Sequence, residues 1–277
     1  MHWASDIYLF GVMLILFIIL MLHVLSYQKE TSFSEEGFQF SPPKDKSPYA
    51  RSLSDKDIQG LKGGQRIMTE MLRIFDQICR RHHIRYWCMG GTLIGVLRHK
   101  GWVPWDGDID IGMMYDDFIK FQKVCYKELP RSMWLQSTKT DPHYPNKQFF
   151  TYMPKLRHLY SCYQNSQDGV RFHNGFQLDL FLHELKNGQI SSLSGDDGND
   201  GSCVKPIDWV FPLRESKFED IIVYIPNHYK KYSTKSWGAY PPPYPSRHKR
   251  YPHEGTLDPN SICDHHNKLY PHLYAST

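Results

Sequence analysis

The chain has 277 residues, 40% hydrophobic and 22% charged, and 33 Lys and Arg against 29 Asp and Glu give a formal net charge of +4. That length and apolar content support one good core and a small annex. The mild charge, with no concentrated basic face, argues against nucleic acid as a partner, and the 15 histidines are too scattered to mark a site.

The first element is an apolar run. From Ile7 to Leu25 it is broken only by Gly11 and His23, is long enough to cross a bilayer at about 1.5 Å per residue, and has no polar face. A cleaved signal peptide is the nearest rival, and Val24 and Ser26 would suit a cleavage site. The run is longer than a usual signal core, however, and no basic residue precedes it. The expectation is a single transmembrane signal anchor over residues 7–27 behind a short tail of residues 1–6. The flanking charges, Asp6 before it and Lys29 and Glu30 after it, do not fix its orientation. Residues 28–52, polar and rich in Ser, Pro and Lys, read as a stem.

Ser54 and Asp55 open a helical region in which Ile67, Met71, Ile74, Phe75 and Ile78 form one apolar stripe. Arg80, Arg81, His82 and His83 close it, where cations suit the helix dipole. A short strand, Tyr86 to Met89, leads into Gly90 and Gly91, which let the backbone turn sharply and approach a ligand. Thr92 reads as the N-cap of a helix from Leu93 to Arg98, whose start would offer backbone N–H groups to a phosphate. Asp106, Asp108 and Asp110 then alternate with Ile109 and Ile111. On a strand the three carboxylates share one face, and such crowding is relieved by a hard cation such as magnesium.

The stretch Gly-Gly-Thr-Leu-Ile-Gly-Val-Leu-Arg-His-Lys-Gly-Trp-Val-Pro-Trp-Asp-Gly-Asp-Ile-Asp-Ile-Gly-Met closely resembles the signature of the LicD/fukutin-related phosphotransferases, a branch of the nucleotidyltransferase-fold superfamily. The resemblance implies an α+β fold, a nucleotidyltransferase-like mixed sheet flanked by helices, and a third carboxylate on a later strand. It also implies CDP-linked donors, such as CDP-choline or CDP-ribitol, and a Golgi or endoplasmic reticulum membrane enzyme of single-pass type II topology with a lumenal catalytic domain. One departure stands out: the family commonly carries Asp-Asp-Asp-Ile-Asp here, and this chain has Gly107 in place of the middle Asp. On a strand, position 107 would point away from the carboxylate face.

Tyr115 to Glu128 is helical in pattern, with Asp116 and Asp117 in its first turn as dipole partners and not metal ligands. Residues 132–183 look like short strands. Lys155 and Arg157, one residue apart on a strand, face the same way and either hold a phosphate or protect a solvated edge. A similar Lys-apolar-Arg in the family favours phosphate. Asp179 lies inside the apolar run Gly175 to Phe181, where an unpaired carboxylate is costly, so it pairs with a basic residue or helps hold a metal. The resemblance assigns it the role of third carboxylate.

Residues 186–203 read as a flexible loop, Asp208 to Leu213 and Phe218 to Pro226 as strands, and Asn227 to Tyr232 as a short helix. These segments place a LicD-like catalytic domain over residues 53–240. Residues 241–277, rich in Pro, Tyr and His without apolar periodicity, read as an extended tail, and the Cys263-Asp264-His265-His266 run is a weak metal candidate. The six cysteines form no Cys-x-x-Cys pair, which leaves a structural zinc site unsupported; in a lumenal compartment some would pair, with a connectivity the sequence does not give.

The functional expectation is a metal-dependent phosphotransferase that moves a phosphate-linked group, such as phosphocholine or ribitol phosphate, from a CDP-type donor to a hydroxyl of a glycan or glycoprotein. Asp108 and Asp110, with Asp179 and Asp106, would hold Mg2+ or Mn2+, and Asp179 would serve as ligand or base. Gly90, Gly91, Thr92, Arg98, Lys100, Lys155 and Arg157 would meet the donor phosphates. A homo-oligomer or Golgi enzyme complex is compatible with this reading. The alternatives are an Asp-x-Asp glycosyltransferase using a nucleotide sugar, or an inactive scaffold of the same fold.

Overall fold

A computed structural model of the chain describes residues 55–165, 172–194, 204–242 and 255–274. The expected anchor and stem lie outside the described residues. Among the described residues no helix is long and apolar enough to cross a membrane.

In chain order the elements are α1 (Asp55–Arg81), β1 (Trp87–Cys88), α2 (Gly90–His99), β2 (Ile109–Met114), α3 (Tyr115–Glu128), β3 (Met133–Gln136), α4 (Gln148–Thr151) and β4 (Lys155–His158). They continue with β5 (Cys162–Asn165), β6 (Gln177–Lys186), β7 (Gln189–Ser192), β8 (Lys205–Pro206), α5 (Ile207–Val210), β9 (Arg214–Phe218), β10 (Ile221–Ile225) and α6 (Tyr229–Trp237). The last three are β11 (Gly255–Asp258), α7 (His266–Leu269) and α8 (Pro271–Tyr274).

The architecture is mixed α+β. A seven-stranded sheet runs in the order β1-β2-β6-β4-β3, with β7 paired to the far end of β6 and β8 to β7. β2 and β6 are parallel and their other pairings in the sheet antiparallel. Strand alternation divides the sheet into two chemically different faces. Ile109, Ile111 and Met113 of β2, with Leu178, Leu180 and Leu182 of β6, point to one side. There they share a buried core with Leu72, Phe75 and Ile78 of α1 and Phe118 and Phe121 of α3. The helical stripe predicted for α1 supplies this packing, and Phe75 meets Phe121 edge-on with ring centroids 5.1 Å apart. The opposite face of β2 and β6 carries Asp110 and Asp179.

Several local expectations are corrected. Met89, not Thr92, occupies the N-cap of α2, because the helix begins at the first glycine. Within the stretch expected to form short strands, residues 148–151 are instead a helical turn, and Lys155–His158 pairs with the sheet. Ile207–Val210 is a helical turn as well, followed by the β9–β10 hairpin, and the short helix runs over Tyr229–Trp237. The predicted loop from residue 186 begins as the β6–β7 hairpin, turning at Asn187 and Gly188, which both adopt positive φ as a tight hairpin turn requires. Residues 195–203 of that predicted loop, with Asp196, Asp197 and Asp200, lie outside the described residues.

The largest correction concerns the tail. Residues 255–274 are folded: β11 pairs with β5, Cys263 is joined to Cys162 by a disulfide, and Tyr270 is fully buried. The absence of apolar periodicity misleads here because this segment is held by a covalent staple, hydrogen bonds and ring contacts. The same disulfide removes Cys263 from the candidate metal run, although its sulfur still lies beside His265 and His266.

Candidate active site

In the parallel register of β2 and β6, Asp110 stands opposite Asp179, and across the antiparallel β6–β4 pairing Asp179 stands opposite Lys155. Three adjacent strands thus place two carboxylates and one ammonium in a single row. Strand β2 begins only at Ile109, so the alternation predicted for Asp106 and Asp108 does not hold; both sit in the loop that enters the strand. That loop nevertheless delivers Asp108. Carboxylate oxygens of Asp108, Asp110 and Asp179 all lie within 4.8 Å of one another. Asp106 is not part of this triad, and its carboxylate packs beside Gly91.

The loop is pinned from two sides. Gln65 of α1 donates from Nε2 to the Asp106 carbonyl at 2.9 Å, and Trp102 donates from its indole to Thr69 Oγ1 at 2.9 Å. Glu219, in the β9–β10 turn, accepts from the Trp102 amide at 2.9 Å and donates its own amide to the Lys100 carbonyl at 2.7 Å.

The glycine turn is shaped by the carboxylates. The Asp110 amide donates to Thr92 Oγ1 at 2.8 Å, and the Gly91 amide donates to Asp110 Oδ2 at 3.1 Å. A Cβ on Gly90 would stand 2.0 Å from Asp110 Oδ2, and one on Gly91 would stand 2.4 Å from Asp106 Oδ2. Gly90 also has φ +50°. No other residue lets the backbone come this close without moving the acid.

Charge crowding is visible in the acids themselves. Burial, then the neighbouring Asp108 and Asp110 charges, hold the Asp106 carboxyl well above the ordinary range. Burial, then Asp108 and Asp179, do the same to Asp110, against smaller opposing effects of the Gly91 amide and Lys155. At Asp179, Lys155 Nζ lies 2.6 Å from Oδ1 and Gln177 Nε2 donates to Oδ2 at 3.2 Å. The Lys155 ammonium is thus the ionic partner of Oδ1 in a buried pair. The three clustered carboxylates form a hard, all-oxygen donor set suited to a cation such as magnesium or manganese.

The other residues expected to meet phosphate are placed differently. Arg98 and Lys100 lie toward the C-terminal end of α2, about 10 Å or more along the helix axis from Gly91. Arg98 Nε donates to the Pro242 carbonyl at 2.7 Å, and Lys100 is the exposed left-handed C-cap. The structure therefore does not bring these two to the carboxylates. Arg157 is 1% exposed, and its guanidinium donates to Gln136, Gln177 and the Gly175 carbonyl. It is built into the protein beneath the site. Asp117, read as a helix-start residue, is fully buried and bonded to Arg85 and Lys120. The reading missed Gln177, although strand alternation places it on the same face as Asp179.

A family model described as LicD/FKTN/FKRP, nucleotidyltransferase domain, matches residues 83–228, just over half of the chain, from the end of α1 to the start of α6. The chain is 29% identical over 124 residues to the lipopolysaccharide cholinephosphotransferase LicD of Haemophilus influenzae, which spans 45% of this chain and 44% of that protein. It is 36% identical over 52 residues to the human ribitol 5-phosphate transferase FKRP, 19% of this chain and 10% of that one. The chain thus covers less than half the length of each of these relatives. The lincosamide antibiotic adenylyltransferase LnuA, solved with lincomycin bound, aligns with 57% of this chain and 79% of its own at 19% identity and a TM-score of 0.33, a slight overlap. The motif, its carboxylates and the strands that carry them all fall within the matched span, and the chain belongs to the LicD/FKTN/FKRP nucleotidyltransferase-domain family.

Proposed function

We propose that this protein transfers a phosphate-linked group from a CDP-type donor to a hydroxyl of a glycan or glycoprotein. The observation that carries the reading is the juxtaposition of Asp108, Asp110 and Asp179 in a family of this kind. The two named relatives are transferases of phosphocholine and ribitol 5-phosphate, which supports a substituted phosphate as the transferred group.

Asp108, Asp110 and Asp179 would hold Mg2+ or Mn2+, which when bound neutralises the donor diphosphate and the charge that develops on transfer. Lys155 pairs with Asp179 and adds a positive charge at the edge of the triad. The start of α2 directs backbone N–H groups of Gly90 and Thr92 toward the leaving phosphate, while that of Gly91 orients Asp110. The loop pinned by Gln65 keeps Asp108 in register with the two strand acids.

The apolar run at residues 7–27 anchors the chain in a Golgi or endoplasmic reticulum membrane with the catalytic domain in the lumen. The Cys162–Cys263 disulfide supports that side, because such bonds persist in oxidising compartments.

The test is nucleotide release by the purified full chain with Mg2+ or Mn2+, a mixed glycan acceptor pool, and CDP- and UDP-linked donors. Release of CMP from one CDP donor, abolished by Asp110→Asn, is the expected result. Release of UDP from a nucleotide sugar would overturn the reading in favour of a glycosyltransferase, and no release from any donor would overturn it in favour of a scaffold.

A further inference from the structure

A buried polar chain leads from the C-terminal segment to the third carboxylate. Tyr270 Oη donates to Asp141, 3.0 Å from Oδ2, and Gln136 Nε2 donates to the same Asp141 oxygen at 2.6 Å. Gln136 Oε1 accepts from Arg157 Nε at 2.7 Å, Arg157 Nη1 donates to Gln177 Oε1, and Gln177 Nε2 donates to Asp179 Oδ2 at 3.2 Å. Tyr270, Asp141, Gln136 and Arg157 are at most 1% exposed. Only Gln177 and Asp179, at the site end, are more open.

The direction of the amide links follows from one residue. A guanidinium has donors and no acceptor, so each amide beside Arg157 must turn its oxygen toward it. That forces the NH2 of Gln177 toward Asp179 and the NH2 of Gln136 toward Asp141. Register supports the same picture, since Arg157 lies opposite Gln177 across β4 and β6, and Gln136 lies opposite Lys155 across β3 and β4. A phosphate-binding role for Arg157 does not fit its burial, and a space-filling role would not need a cation whose desolvation is costly.

The far end is fixed independently. Tyr270 Oη also accepts from the His173 amide at 2.7 Å, and the segment is clasped by the β5–β11 pairing and the Cys162–Cys263 bond. Burial, then the Asp141 charge, push the Tyr270 hydroxyl well up, so it stays a donor throughout the physiological range. All of residues 255–274 lie beyond the span shared with the family, 83–228.

We propose that residues 255–274 form a brace for the transferase site, in which Tyr270 fixes the orientation of Asp179 through Asp141, Gln136, Arg157 and Gln177. Tyr270, Arg157 and Gln177 are then positioning residues. The brace rests on the proposed function only for what Asp179 does once it is held.

The experiment measures Mn2+ affinity of the full chain by calorimetry in wild type, Tyr270→Phe, Gln177→Leu, the double variant, and Lys268→Ala, an exposed change in the same segment. Outer-shell partners of metal ligands typically contribute about 10–100-fold in affinity. Tyr270→Phe removes one oxygen and keeps the ring, and is expected to weaken Mn2+ about 10-fold. Gln177→Leu should weaken it at least as much, the double variant no further than Gln177→Leu, and Lys268→Ala not at all. Wild-type affinity in Tyr270→Phe, or losses that add in the double variant, would overturn the brace. Should Gln177→Leu fail to fold, Tyr270→Phe alone decides.

If wild type shows no Mn2+ binding that depends on Asp179, the metal reading fails and the brace is judged separately. The measurement is then the 13C carboxyl resonance of Asp179, assigned with Asp179→Asn. Tyr270→Phe must shift it while Lys268→Ala leaves it in place, and an unmoved resonance in Tyr270→Phe overturns the proposal.

Discussion

Asp110 and Asp179 face each other across the parallel pairing of β2 and β6, in the one register position where both strands carry an acid. Neighbouring strands lie about 4.8 Å apart, so the sheet holds the two residues side by side, and their carboxylates lie within 4.8 Å of each other. The folded chain therefore carries a standing repulsion that a cation would relieve.

The sign of its pH dependence follows. The Asp110 carboxyl is raised in the folded chain above its unfolded value of about 3.9, so the folded state binds the proton more tightly. Stability from this group is fully present below the unfolded value and is lost as pH rises through the folded one. Asp110→Asn should escape that loss while retaining an oxygen to accept from the Gly91 amide. In cation-free buffer its melting temperature should exceed wild type at pH 8, and the difference should shrink toward pH 4. A lower melting temperature for Asp110→Asn at pH 8 would contradict the repulsion.

Gly90→Ala tests whether the glycine turn exists for the acid. Both Gly90 and Gly188 have positive φ, but a Cβ on Gly188 meets nothing within 4 Å, whereas one on Gly90 collides with Asp110. Each change carries the left-handed backbone penalty of about 1 kcal/mol, and only Gly90→Ala must also displace the carboxylate. Urea unfolding should show the larger loss for Gly90→Ala, and CMP release should survive Gly188→Ala alone. Equal behaviour of the two variants would remove the steric argument.

How much of this was legible in the sequence depends on what kind of force fixed each part. Asp179 stood out because an acid inside an apolar strand needs a partner, and the structure supplies Lys155. The helices α1 and α3 were legible because their apolar stripes follow helical spacing. Asp108 was placed in the cluster for an incomplete reason: strand alternation does not reach it, and the pinned loop before β2 brings it there. Arg157 was misread because spacing says which way a side chain points and not whether solvent reaches it. The C-terminal segment was missed because a disulfide between residues 101 positions apart and a tyrosine bonded to Asp141 leave no local pattern. The Asn187-Gly188 turn did leave one, between two strands, and was passed over.

Lys155→Met probes the ion pair within the row. Both side chains are 8% exposed, so removal of the ammonium leaves a buried acid beside two others. Breaking a buried pair in this way typically costs about 3–5 kcal/mol. The expected result is a loss of that order in urea unfolding without divalent cation, with part of it recovered by Mn2+, which would neutralise the same acids. A loss below about 1 kcal/mol would mean that Lys155 does not hold Asp179.

The disulfide offers a test of the C-terminal fold that involves no substrate. Cys162 and Cys263 are 101 residues apart, and closing a loop of that length restrains the unfolded chain by up to about 5 kcal/mol in the chain-entropy model. Cys79, Cys88 and Cys125 are free but buried, and burial pushes their thiols up, so they resist reaction in the folded state. Cys162 and Cys263 are buried as well, so their reduction requires the C-terminal segment to open; partial reduction with alkylation should label these two before the other three. The reduced protein should lose about 2–5 kcal/mol in urea unfolding, and Cys263→Ser should lose a similar amount without reductant. The loss should begin in the segment the bond clasps, with amide exchange over residues 255–274 rising before exchange in β2 and β6. Simultaneous exchange throughout would mean that the segment and the sheet unfold as one unit, and that the bond acts on the whole domain.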